Sequence, residues 1–498
     1  MSPAELLAAL ARLADPVNVV AIGLAVLAGV LVGVIPGLGP FLAIVVLLPF
    51  TFHLPPNASL LALTGIFIGG SYGGAVTAIL LGIPGTPLAA ATLLDGRPLA
   101  ERGEVGYALG LAVTASVFGG AFSVVMLAAL SPLLAQLALK FGPFEYTLLG
   151  VLGLTTVASI SPGSTLKGLL AATFGLLLAT VGSDSPTTTP RYTFGIAALN
   201  AGTGLVPVLL GLFSIAQVLQ LLERRAPPAA RVSPGRLWPR WPRLPELRSL
   251  GPTYLKGSII GTVIGALPGA GGVIAAFISY AEARRASPRP EEFGRGAPEG
   301  VVASEAANSA VVGGALIPTL TLGIPGDAIT AVIMGALFIH GLTPGPNLYR
   351  LHADLLATVF VGMLVANLFM LFVGMYVVRL IVWAASVRES LVIPVVALIS
   401  VLAAYATQTS LLDVAVMLVF GVVGFGMRKL AMPLPPIVLG LVLGEMIELS
   451  LRRALTIADG NLMTLFGRPY AIGILALIAL LLCWPLLGRK RALAAPSE

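Results

Sequence analysis

The sequence has one cysteine and three histidines in 498 residues. A lone thiol, Cys483 in the last apolar run, excludes an internal disulfide. His53, His340 and His352 are scattered and make no recognisable metal-ligand spacing;. Charge is also scarce: Asp, Glu, Lys and Arg make up 10% of the chain, where soluble proteins carry about 25%;. A soluble fold with so few charges could not cover its surface, so lipid must cover much of it. No G-x-x-x-x-G-K-[ST] run is present, which speaks against an ATP-driven machine;. Residues Met1 to Asp15 carry Glu5, Arg12 and Asp15 without a basic stretch leading into an apolar one, and predict no cleavable signal;.

What is abundant is apolar sequence. Hydrophobic residues make up 57% of the chain, and the mean hydropathy is +0.98. Many runs approach the ~20 residues that span a bilayer as a helix, and about ten to twelve such segments are expected. The runs are continuous rather than alternating, which excludes a β-barrel and leaves an all-α integral membrane protein. The net charge of +7 sits in connecting segments, above all in Glu223 to Gly251 and in Arg489-Lys490-Arg491. Such placement orients a membrane chain and predicts a cytoplasmic linker and C-terminus, not a nucleic-acid partner.

The basic linker divides two similar halves. Gly29, Gly33, Pro36, Gly37 and Gly39 recur 232 positions later as Gly261, Gly265, Pro268, Gly269 and Gly271. Gly73, Leu81, Gly82, Ile83, Pro84 and Gly85 recur 241 positions later as Gly314, Leu322, Gly323, Ile324, Pro325 and Gly326. This predicts an internal duplication: a first transmembrane repeat over 1–222, a linker over 223–255, and a second repeat with C-terminal helices over 256–498. Transporters are often built this way, with the site formed by discontinuous helices at the repeat interface.

Each repeat carries two Pro-Gly blocks. Proline removes a donor and glycine admits unusual dihedrals, so the helix breaks at Pro36, Gly37 and Gly39, and again at Pro268, Gly269 and Gly271;. About twelve apolar residues precede the second of these breaks and about ten follow, too few on either arm to cross a bilayer, which predicts a re-entrant hairpin. The later blocks, Gly82-Ile83-Pro84-Gly85-Thr86 and Gly323-Ile324-Pro325-Gly326-Asp327, place Thr86 and Asp327 at N-cap-like positions. A helix resuming there offers free N–H groups to an anion, although an ordinary surface loop with a cap reads the same way. Pro84, Gly85, Thr86, Pro325 and Gly326 are therefore candidate substrate contacts. Ser71, Tyr72 and Gly73, in a run of small residues that also suits close helix packing, are further candidates. Asn308 and Ser309, also candidate substrate contacts, follow Glu305, an acid assigned either to a helix end at the interface or to function;. Asp413 is expected to cap its helix, Glu448 to pair with Arg452, and Asp184 to lie in a loop.

The segments GGSYGGAVTAILLGIPGTPLAAATLLDGRPLAERGEVGYALG (69–110) and GAPEGVVASEAANSAVVGGALIPTLTLGIPGDAITAVIMGALFIHGLTPGP (296–346), with VGVIPGLGP and IGALPGAGG, resemble the large membrane subunit of the tripartite tricarboxylate transporter family. The resemblance runs from roughly residue 17 to 450. It implies a permease of the bacterial cytoplasmic (inner) membrane that imports a di- or tricarboxylate on an ion gradient. Its implied partners are a small membrane subunit and a periplasmic solute-binding protein. It implies no cofactor beyond a coupling ion, Na⁺ or H⁺. The chain departs from the family pattern at Ser309 and Asp327. An acid beside an anion site repels a carboxylate unless it is protonated or paired with a cation, so Asp327 and Asn308 are the candidate ion-coupling residues. Two other readings are a permease for a different organic solute on the same scaffold and an intramembrane aspartyl protease. The second needs a Gly-x-Gly-Asp block, and Ile324 breaks it.

Overall fold

The computed structural model describes residues 3–35, 38–160, 165–184, 186–223, 238–268, 271–385, 387, 389–461 and 466–492. Pro36, Gly37 and Gly269 lie outside the described residues. Among the described residues the regular structure is helical apart from one short antiparallel ladder, β1 (Gly182–Ser183) on β2 (Pro190–Arg191). The first half holds α1 (Pro3–Leu13), α2 (Pro16–Val34), α3 (Gly39–Thr51), α4 (Pro56–Leu81), α5 (Ala90–Glu101), α6 (Val105–Ala138), α7 (Pro143–Ile160) and α8 (Thr165–Ala179). It closes with one continuous run, α9 (Leu205–Leu209), a π-helical segment over Leu210–Ile215, and α10 (Ala216–Glu223). The second half holds α11 (Leu244–Gly265), α12 (Gly271–Ala286), α13 (Pro298–Leu322), α14 (Ala328–Ile339), α15 (Pro346–Leu351) and α16 (Ala353–Tyr376). It ends with α17 (Val378–Ala385), α18 (Glu389–Gln408), α19 (Leu411–Lys429), α20 (Pro435–Ile457) and α21 (Pro469–Ala492).

Eight helices among the described residues are long and apolar enough to cross a bilayer: α2, α4, α6, Leu205–Glu223, α13, α16, Leu391–Gln408 within α18, and α19. Four shorter apolar helices join them, α3, α8, α14 and Pro469–Leu482. The expected segment count is met only when these short ones are included. Helix starts follow local chemistry. Asp15 accepts from the Val17 N–H at 2.9 Å ahead of Pro16, and Pro56 and Pro298 open α4 and α13 where no intrahelical N–H is needed;. Helices α4 and α13 end alike, on left-handed Gly82 (φ 70°) and Gly323 (φ 68°), where a side chain would be strained;.

These two helices form the centre. Their hydropathies, 1.5 and 1.4, are lower than those of the other six spans, yet their spanning windows are wholly buried. Both are rich in Gly, Ala, Ser and Thr and suit protein contact better than lipid. By contrast, α2, α6, α18 and α19 keep apolar side chains such as Leu24, Leu133, Leu398 and Val422 on the outside, as lipid-facing helices do.

The duplication recurs as packing. A side chain at Gly29 on α2 would strike the Ile66 carbonyl oxygen on α4, and one at Gly261 on α11 would strike that of Ala307 on α13. A Cβ at Gly33 would lie 2.7 Å from the Gly70 oxygen, and one at Gly265 2.9 Å from the Val311 oxygen. In the other direction, a Cβ at Gly73 would lie 2.5 Å from the Val30 oxygen and one at Gly314 2.5 Å from that of Thr262. Every matched pair keeps the two sequence offsets, 232 on the first helix and 241 on the second.

The halves do not sit side by side. Helices α5 and α6 of the first half pack on α13, and α14 and α16 of the second half pack on α4. Likewise α5 touches α12 while α14 touches α3. The exchange is reciprocal, so each half completes the other. Asp95 on α5 fastens one side of it, since one carboxylate oxygen accepts from the Gly294, Gly296 and Ala297 N–H groups at 2.8, 2.8 and 2.9 Å.

Two expectations change in detail. Helix α11 begins at Leu244, inside the stretch assigned to the linker, because Glu246 accepts from the Arg243 N–H at 2.6 Å and opens the helix;. The first arm of the α11–α12 hairpin is thus longer than its apolar part. The described end of the linker is also held: the Arg240 N–H donates to the Gly106 oxygen at 2.7 Å, and its guanidinium lies 4.5 Å from the Tyr107 ring centroid.

The glycine contacts predict that Gly261→Val will sharply lower the monodisperse yield in detergent, since overpacking costs about 1–3 kcal/mol. Gly251→Ala, on the same helix with open space around it, should match the parent on size-exclusion chromatography.

Candidate functional site

The first-half blocks meet at Thr86. Gly82 ends α4, and the chain turns through Ile83, Pro84 and Gly85 into a 3₁₀ turn over Pro87–Ala89. Gly85 is pinned to α4 by its N–H, which donates to the Gly74 oxygen at 3.2 Å. Thr86 precedes the turn, but its hydroxyl makes no capping bond. Its methyl lies 3.7 Å from a Cβ built at Gly39, the start of α3, and its Oγ1 faces Gly74. That Oγ1 is buried without a protein hydrogen-bond partner among the described residues.

The same turn reaches the second half. Leu88 packs on Gly272 near the start of α12, and Asn308 Oδ1 lies 3.6 Å from a Cβ built at that glycine. Asn308 Nδ2 donates to the Ser71 carbonyl at 3.0 Å, which ties α13 to α4. Asn308 Oδ1 and the neighbouring Ser309 Oγ are buried and find no protein partner among the described residues. Unpaired buried polar atoms cost roughly 1–3 kcal/mol each. Thr86 Oγ1 and Asn308 Oδ1, at the junction of Gly39, Thr86, Leu88 and Gly272, mark a place able to take a polar ligand.

The fourth block behaves differently. Gly326 packs on Ala315, and Asp327 is the N-cap of α14. Its Oδ1 accepts from the Thr330 N–H at 2.8 Å, and its N–H donates to Thr330 Oγ1 at 2.9 Å. The carboxylate thereby occupies the anion position that the sequence offered to a substrate. The open position is at Thr86, where no carboxylate caps the turn.

Other candidates are placed as follows. Ser71 Oγ donates to the Ile68 carbonyl at 2.8 Å, so this residue offers its backbone oxygen rather than its hydroxyl. Tyr72 is buried against Gly374 of α16, and Gly73 serves the α2–α4 approach. Pro325 is buried within the turn ahead of α14. Pro268 closes the break after α11, and Gly271 (φ 66°) opens α12.

Glu305 is not at a helix end. Glu299 is the first-turn acid of α13, and Glu305 is fully buried within the helix. Its carboxylate accepts from Thr92 Oγ1 on α5 and, at 2.9 Å, from Ser116 Oγ on α6. Thr92 also lies 3.0 Å from Ser304 Oγ. Neither Thr92, Ser116 nor Asp95 was marked by the sequence. Their only signal was polarity within apolar or motif-bearing stretches. Ser410, not Asp413, caps α19, accepting from the Leu412 N–H at 3.1 Å. An aspartate three residues into a helix falls in its first turn, and here Ser410 already supplies the cap.

A separate cavity of about 1000 Å³ runs from the β1–β2 loop to Leu322 and Gly323 at the end of α13. None of Ser71, Tyr72, Thr86, Asn308 and Asp327 lines it. Glu448 pairs with Arg452 at 2.6 Å, as expected, and with Arg191 at 2.8 Å. The loop acid Asp184 pairs with Arg452 at 3.1 Å and Arg191 at 3.4 Å. The Thr187 hydroxyl, then the Arg452 and Arg191 charges, hold the Asp184 carboxyl below the usual range.

A family model described as "Tripartite tricarboxylate transporter TctA family" matches residues 19–439. A relative from Agrobacterium vitis, described as an uncharacterized 52.8 kDa protein in the TAR-I ttuC′ 3′ region, is 38% identical over 461 residues. The alignment covers 93% of this chain and 91% of the relative. A second from the same organism, described as an uncharacterized protein in the TAR-II ttuC′ 3′ region, is 33% identical over 217 residues, 44% of this chain and 90% of its own length. No solved structure matches the chain.

Two outcomes follow from the site. Asp327→Ala should lower the thermal midpoint by removing a cap worth about 0.5–2 kcal/mol, while Asp327→Asn, which can still cap, should stay near the parent. Because the Asp184 pKa is depressed on folding, its stabilising share is present above the unfolded aspartate pKa. It is lost as pH falls through the folded value. Acidification should therefore raise hydrogen exchange across 182–191.

Proposed function

This chain belongs to the tripartite tricarboxylate transporter TctA family as a multi-pass large membrane subunit, and we propose that it imports a di- or tricarboxylate on an ion gradient. In this reading a periplasmic solute-binding protein delivers the carboxylate and a small membrane subunit completes the complex. The site of action is the bacterial cytoplasmic membrane, with the basic linker and C-terminus on the cytoplasmic side. The charge placement in Glu223–Gly251 and Arg489-Lys490-Arg491 supports that orientation;.

The observation that carries the proposal is the Thr86 hydroxyl, buried without a partner among the described residues, at a helix break beside the junction that joins both halves. A hydroxyl at the head of a resuming helix can donate to a carboxylate, and the turn's N–H groups add a favourable dipole. The Asn308 amide oxygen and Ser309 hydroxyl supply acceptors for a cation or for substrate hydroxyls;. Broken backbone at depth is tolerated where it is covered by protein or lines an aqueous path. The reciprocal packing of the halves gives a surface along which one body can rock against another while the site stays central.

Proteoliposomes holding this chain and its small subunit should take up labelled di- or tricarboxylate only with the binding protein present and an inward Na⁺ or H⁺ gradient imposed. Uptake without the binding protein, or of unrelated organic solutes in preference, would instead favour a same-scaffold permease of another kind. Thr86→Val should weaken half-saturation roughly ten- to a hundredfold, the worth of one hydrogen bond to a charged group, with Thr86→Ser close to the parent.

A further inference from the structure

Glu305 is a buried acid that the substrate junction does not use. No ion pair among the described residues involves it. Its two oxygens meet Thr92 Oγ1 and Ser116 Oγ. Thr92 divides its hydroxyl between this carboxylate and Ser304, whose own hydroxyl lies 2.9 Å from the Gly300 carbonyl. Two hydroxyls, one of them shared, and an Asn308 amide that also serves the Ser71 carbonyl are a thin shell for a full negative charge at membrane depth. A buried carboxylate kept ionised needs a cation or several good donors.

The arrangement also suits a proton better than a metal ion. Each carboxylate oxygen already touches a hydroxyl directly, whereas a metal ion needs a gap surrounded by several inward-facing oxygens. The buried titratable groups on the helices packed against α13 are Tyr72 on α4, Asp95 on α5, Tyr254 on α11 and Tyr280 on α12, while Arg97 and Glu101 on α5 pair with each other. Asp95 is committed to the 294–297 backbone and Tyr254 to Thr114. Tyr72 is the one of these that interacts with Glu305 through charge. From α6 the contact is the neutral Ser116.

Position supplies the coupling. Glu305 and Asn308 are three residues apart on α13, hence on one face, and Asn308 borders the junction assigned to substrate. A bound carboxylate there and an ionised Glu305 repel each other, so anion binding and proton uptake favour one another. Thr92 and Ser116 belong to the first half and Glu305 to the second. The carboxylate's hydroxyl donors therefore come from across the boundary between the halves.

We propose that Glu305 is the proton-carrying group of transport, loaded and released at the interface of the two halves. The proposal rests on the transporter reading above but is testable apart from it. Difference infrared spectroscopy of the reconstituted subunit across a pH series reads protonation directly. A carboxyl C=O band should appear as pH falls, vanish in Glu305→Gln, and move in pH midpoint in Ser116→Ala, which keeps the charge and removes one donor. In uptake assays Glu305→Gln should retain substrate counterflow yet lose accumulation driven by an inward proton gradient, falling to simple equilibration. No band assignable to Glu305, or a Gln variant that still accumulates substrate on a proton gradient, overturns the proposal. A Na⁺ gradient driving parent and Gln variant equally overturns it too. A parent that takes up no carboxylate while the Glu305 band is intact would instead overturn the substrate reading.

Discussion

Backbone that leaves the helix at membrane depth has to be covered by protein, because lipid offers it no hydrogen bond. The rest of the molecule follows from meeting that condition. Both central helices end on left-handed glycines above broken segments, and both are enclosed along their spanning windows. Enclosure needs neighbours at backbone distance, which the glycines of α2, α4, α11 and α13 permit. The low hydropathy of α4 and α13 is then a consequence, since a helix that never meets lipid needs small side chains more than greasy ones.

The reciprocal packing turns two similar halves into one unequal site. The equivalent blocks share their turn geometry but not their chemistry. Thr86 leaves its hydroxyl open at one break, and Asp327 closes the other with its own carboxylate. Asn308 and Glu305 lie on α13, and the positions one repeat earlier hold Phe67 and Thr64. A symmetric frame thus carries its buried acid and buried amide on only one of the two matched central helices.

Much of this was legible in the sequence, for identifiable reasons. Glycine and proline act through backbone sterics, which are local, so the breaks at Gly39, Gly82, Gly271 and Gly323 and the duplication could be read directly. The pairing of Glu448 with Arg452 was legible because four residues make one helical turn. The exchange of α5 and α6 for α14 and α16 was not legible, because contacts between distant segments leave no periodicity. The same blindness hid the partners of Glu305. Thr92 and Ser116 are ordinary hydroxyls in sequence and become a pair only when two helices from the other half close over α13. Asp327 was legible as a helix start because a short acid there serves its own backbone first, and it does cap α14;.

The Asp95 clasp has a consequence for how such a molecule can change shape. Three N–H groups from the 294–297 segment converge on one carboxylate oxygen, so the approach to α13 and helix α5 travel together. Separating the two halves of the chain would first have to break that clasp, so the order of the sequence is a poor guide to which parts are mechanically joined.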